Sequence, residues 1–133
     1  MKDFMFIFYN NPNAPSFTPE QMQANMQLWM AWVEKLKAAD TWVSGEALMP
    51  GGKMVKGTKA IVTDGPFAES KEIVGGYFVI RAASIEKATD IAKDCPDLPL
   101  DGVVEVREVM KFSTYHGHAS RNIPSTRRSS FPA

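Results

Sequence analysis

Cysteine is almost absent: the 133-residue chain has one, Cys95, so no intrachain disulfide can form. Nothing here resembles a secreted domain stapled by disulfides. No window stays apolar for the roughly twenty residues that a membrane-crossing helix requires. The apolar opening MKDFMFIFYN carries Asp3 and is too short for a secretory leader. A reducing cytoplasm and no membrane partner are therefore expected. Charge of one sign is also missing. Fifteen basic and fifteen acidic residues cancel, leaving no field to attract DNA or an acidic membrane, so nucleic acid is not an expected partner. Histidine is scarce, with only His116 and His118, both near the C-terminus. No phosphate loop, no G-x-G-x-x-G and no G-x-S-x-G elbow occurs, which removes the usual nucleotide and serine-hydrolase readings.

The remaining sequence is that of one ordinary globular domain, 44% apolar and 23% charged. Residues 2–9 (KDFMFIFY) read as a strand ending at Asn10-Asn11-Pro12-Asn13. Alternation puts Phe4, Phe6 and Phe8 on one face, with Met5, Ile7 and Tyr9 on the other. Thr18-Pro19-Glu20-Gln21 starts a helix, with Thr18 as cap and Gln21 completing a capping box. Met22, Met26, Trp29, Val33 and Leu36 then mark one apolar stripe, read as core packing. Met30 and Trp32 widen it toward a partner subunit.

Residues 41–63 read as β-hairpin material, with Gly57-Thr58 as a two-residue turn. Tyr77-Phe78-Val79-Ile80 is a further strand apolar on both faces. Ser84 caps a short helix bearing Ile85, Ala88, Ile91 and Ala92, ended by Pro96. The last strand, 103–109, sets Val104 and Val106 opposite Glu105 and Arg107. The order is βαββαβ with an appended hairpin, an α+β ferredoxin-like domain over residues 1–110. Residues 111–133 form a basic Ser/Pro/Arg-rich extension, with Lys111, Arg121, Arg127 and Arg128 and no acid. Both helices would lie on one side of the sheet, leaving its other, apolar side bare. A second copy packed against it, making a homodimer, relieves that exposure.

The densest polar stretch is VTDGPFAESKEIVGG, 62–76. Asp64 ends a β run and is the leading candidate acid–base group, with Glu69 and Glu72 as further candidates. Such a carboxylate also caps turns by itself, and Glu–Lys stretches also serve as plain solvated surface. Glu105 and Arg107 make either an ion pair or, with Glu46, a clamp for a small ligand. The expectation is that Asp64, Glu46, Glu105 and Arg107 line one cleft per subunit and bind a small molecule there. Zinc needs three or four protein ligands, which His116 and His118 do not supply, so neither metal nor organic cofactor is expected. Cys95, between Asp94 and Asp97, is a poor nucleophile.

Asp64-Gly65-Pro66-Phe67-Ala68-Glu69-Ser70-Lys71-Glu72 resembles the DGPFAETKE signature of the DGPF family, within the YCII-related superfamily. Ser70 stands where the signature has Thr. Gly45-Glu46-Ala47-Leu48, Gly75-Gly76-Tyr77 and Glu105-Val106-Arg107 resemble further segments of that family, covering about residues 1–110. The resemblance implies a dimeric α/β barrel and no settled reaction. Members are sometimes encoded beside extracytoplasmic-function sigma factors, which implies a second reading: a non-catalytic ligand- or protein-binding dimer tied to transcriptional regulation. In related YCII proteins a His–Asp pair has been proposed as an active site. Asp64 matches that Asp, but no histidine precedes His116.

Overall fold

A computed structural model describes residues 1–11, 16–65 and 73–111. Six strands and two helices follow one another as β1 (Lys2–Asn10), α1 (Pro19–Ala38), β2 (Trp42–Ala47), β3 (Lys53–Lys56), β4 (Ile61–Asp64), β5 (Ile73–Ala82), α2 (Ile85–Ala92) and β6 (Val103–Glu108), with a single 3-10 turn at Leu98–Leu100. The four long strands form one antiparallel sheet in the order β2-β5-β1-β6. This is the ferredoxin-like α+β arrangement expected from the sequence. β3 and β4 form a separate two-stranded ribbon inserted between β2 and β5.

The core lies between the sheet and the helices. Phe4, Phe6 and Phe8 of β1 meet Phe78, Ile80 and Ala82 of β5, Trp32 and Leu36 of α1, and Ala88 and Ala92 of α2. Phe4, Phe6 and Ile80 are fully buried. Each such side chain contributes about 1.5–3 kcal/mol through removal from water. The aromatic rings interlock: Phe8 stands edge-on to Trp29 and to Phe78, both at 4.8 Å, and Trp42 stands edge-on to Phe78 at 4.7 Å. Gly45 permits that last contact, because a Cβ there would lie 2.6 Å from both rings. Alternation along β1 and β6 follows the sequence pattern, with Val104 and Val106 packed against the core.

The start of α1 forms as expected. Thr18 Oγ1 accepts from Gln21 N–H, and the Gln21 side chain accepts from Thr18 N–H. Its end is a Schellman turn, with Thr41 N–H donating to Leu36 and Asp40 N–H to Lys37 while Asp40 takes a left-handed φ of 59°. Ser84 caps α2 through Lys87 N–H.

Two local expectations are corrected. The β3–β4 turn is four residues long, Gly57 to Ala60, because Lys56 pairs with Ile61; Gly57 and Ala60 both adopt positive φ. The apolar stripe of α1 is also rotated and divided. Trp32 is a core residue at 4% exposure, not a contact for a partner, while Met22 and Met26 are 55% and 58% exposed. The indole N–H of Trp32 is buried without a hydrogen-bond partner among the described residues.

Candidate functional site

β6 brings Glu105 and Arg107 together on the helix-free face of the sheet. Glu105 Oε1 accepts from the Tyr9 hydroxyl at 2.6 Å, and Arg107 Nη1 lies 3.6 Å from Glu105 Oε2. Glu46 belongs to the same cross-strand row, through Glu46↔Tyr77, Tyr77↔Ile7 and Ile7↔Glu105. Three inter-strand steps of about 4.8 Å separate the two acids by roughly 14 Å. Asp64 stands elsewhere, at the end of β4 on the ribbon, largely exposed and paired with Lys53 Nζ at 2.5 Å. One protomer thus unites Glu105 with Arg107 but does not gather Asp64 or Glu46 beside them. Glu69, Glu72, His116 and His118 lie outside the described residues. Among the described residues, no three His, Cys, Asp or Glu side chains come together as a metal site requires, and no helix is long and apolar enough to cross a membrane.

A concave feature lies on the opposite, helix-covered side. A cavity of about 490 Å³ opens between one face of α1, from Met22 to Lys37, and the ends of β2 and β5, a volume typical of small-molecule pockets. Its origin is readable in residue size. Met22, Met26 and Met30 descend from the helix, and the strand positions bounding the same space are Ala47, Gly75 and Gly76, which carry little or no side chain to fill it. Crowding requires the second of these glycines. A Cβ on Gly76 would lie 2.7 Å from the Glu46 carbonyl, whereas one on Gly75 would meet only the movable end of the Asn10 side chain. Phe8, Trp29 and Phe78 contribute aromatic wall.

Asp97, in the loop after α2, supplies a polar point in the lining. A single carboxylate oxygen, Oδ1, accepts from both Asn25 Nδ2 and Trp29 Nε1, each at 3.0 Å. These bonds tie the loop to α1 and hold Trp29 against the cavity. The carboxylate sits beside apolar wall, where hydrogen-bond donors are valued most. Glu34 and Lys37 are neighbours one turn apart on α1, 3.9 Å from each other at the exposed edge of the lining. Cys95, two residues before Asp97, is 4% exposed, and its thiol is pushed up to about 11, chiefly by burial and further by the Asp97 charge. It remains protonated and unreactive near neutrality.

The cavity and Asp97 were not legible as a site from sequence, where the methionines were read as packing and Asp97 only as a neighbour of Cys95. The usable signal was Gly75-Gly76, two strand positions without side chains facing a helix rich in methionine.

Fold and cavity together define a ferredoxin-like α+β domain with a lateral apolar pocket. The chain belongs to the YCII-related domain family, whose model matches residues 2–113. An uncharacterised protein of Rhizobium meliloti (strain 1021) is 46% identical over 50 residues, 37% of this chain and 40% of that protein. The chain thus spans about two-fifths of the curated relative it matches. Among solved structures, 5-chloro-2-hydroxyhydroquinone dehydrochlorinase from Burkholderia phenoliruptrix AC1100, in complex with 2,5-dihydroxybenzoquinone, is 16% identical with a TM-score of 0.38, covering 83% of this chain and 97% of that one. A likeness of that size says nothing about shared chemistry.

Proposed function

We propose that this YCII-related chain is a small-molecule-binding domain whose ligand occupies the cavity between α1 and the Gly75-Gly76 end of β5. The observation that carries this is the pocket itself: a cavity of about 490 Å³, apolar in most of its lining, with polar groups at a few fixed points. Tryptophan fluorescence provides the test, because Trp29 lines the space. A ligand that enters will change tryptophan emission in the parent protein and fail to do so after Ala47→Phe has filled the cavity. Equal response in both proteins rejects the site.

We further propose that the domain works as a homodimer through the helix-free sheet face, and that the Asp64–Glu72 segment places it in the DGPF branch of the family. Met5, Ile7, Tyr9, Tyr77 and Val79 share that face and are only half-buried. Burying such a continuous apolar surface against a second copy is the economical way to shield it. Glu46, Glu105 and Arg107 then lie at or beside the interface, where the pairing can bring acids from two chains into one cleft. Acid–base chemistry by Asp64 depends on that convergence, since within the protomer its carboxylate is exposed and paired with Lys53. Light scattering on dilute protein will give twice the chain mass. A monomer at micromolar concentration removes both the interface and the shared cleft.

A further inference from the structure

The lining of the cavity restricts what it accepts. This step rests on the cavity being the binding site and adds the ligand's chemical class. We infer that the ligand is a flat ring molecule that carries a hydrogen-bond donor and no negative charge, with the ring against the methionine and aromatic walls and the donor directed to Asp97.

Shape and surface give the ring. The apolar walls are thioethers from Met22, Met26 and Met30 and the rings of Phe8, Trp29 and Phe78. Thioether sulfur makes favourable contacts at aromatic edges, and flexible methionines adjust to a flat guest. A cavity of roughly 150 Å³ already takes benzene, so about 490 Å³ accommodates one or two rings with substituents.

Charge and hydrogen-bond inventory give the rest. Glu46 borders the cavity through its backbone, its side chain lying on the helix-free face with Glu105, so the charged side chains in the lining are Glu34, Lys37 and Asp97, two acids against one base. Lys37 already pairs with Glu34. One of the two Asn25 amide N–H groups and the single Trp29 indole N–H are spent on Asp97 Oδ1. An anion would therefore enter a site with surplus negative charge, beside a carboxylate that already draws on Asn25 and Trp29. The Asp97 carboxylate accepts further hydrogen bonds beyond the two it has, so a ring that brings a donor, neutral or cationic, is what the pocket satisfies most completely.

The experiment is a titration of the full chain followed through the Trp29 indole N–H in nitrogen-15 correlation spectra, because that group bonds directly to Asp97. The probes are benzyl alcohol, benzyl methyl ether, benzylammonium and benzoate. Benzyl alcohol and benzylammonium are expected to shift the Trp29 signal with at least tenfold higher affinity than the ether, and benzoate is expected to leave it in place. In Asp97→Asn the tenfold preference should shrink and the exclusion of benzoate should lift. If the ether or benzoate moves Trp29 as readily as the alcohol, the ligand class is wrong while the cavity stands. If none of the four moves it, the cavity reading itself is rejected, and the class with it.

Discussion

Two neighbouring faces of α1 share one helix and one cap, yet they meet different surfaces. One face places Trp32 and Leu36, at 4% and 5% exposure, on the phenylalanines of β1 and β5. The other holds Met22, Met26 and Met30 toward Ala47, Gly75 and Gly76, and leaves them more than half exposed. Both faces carry large apolar side chains. What differs is the size of the strand residues beneath, so one face becomes core and the other becomes the wall of a cavity. Helical periodicity reports which face turns inward and is silent on whether anything fills the space there.

That contrast is open to mutation. Trp32→Ala should be the most damaging change, costing about 3–5 kcal/mol in denaturant unfolding. Trp32→Phe should cost far less, since it keeps most of the ring and removes an indole N–H that has no described partner. The next effect is a pH dependence beside the buried face, where Cys95 and Trp32 border the same surface hollow. The Cys95 thiol is raised from 9.0 to about 11 in the folded chain, so its contribution is complete below pH 9. As pH climbs toward 11 the unfolded chain ionises first, and stability should fall by up to about 2–3 kcal/mol. Cys95→Ala should flatten that slope relative to the parent, as read from chemical unfolding between pH 8 and 11. Thr18→Ala, which removes the cap both faces share, should cost about 1 kcal/mol. Met26→Ala should be the mildest for stability, under about 1 kcal/mol because the side chain is 58% exposed, while still enlarging the cavity. A loss of several kcal/mol there would show that the methionine face is core after all.

Much of the architecture could be read from the residues. The alternation in β1, the Thr18–Gln21 box, the Ser84 cap and the valines of β6 each declare local structure through near-neighbour physics, and tertiary packing did not override them. The phase of α1 was misread because Trp29, Met30, Trp32 and Val33 form an almost continuous apolar band, and only the facing strands decide which of them is covered. The hairpin turn was misread because Ala60 accepts a left-handed conformation that composition does not advertise. The candidate site was the least legible. Glu105 and Arg107 met as their spacing implied, but Asp64 was carried off by the ribbon, and Asp97 reached Asn25 across 72 positions of chain.

The ribbon has one further consequence. β2 pairs with β5 from Trp42 to Ala47, and Leu48 N–H still donates to Gly75, so the sheet closes on either side of the inserted hairpin. The long strands draw none of their pairing from β3 or β4. Residues between the two attachment points are thus released from the duty of building the sheet, and the excursion that bears Asp64 has latitude to vary in length and chemistry while the scaffold beneath it stays the same.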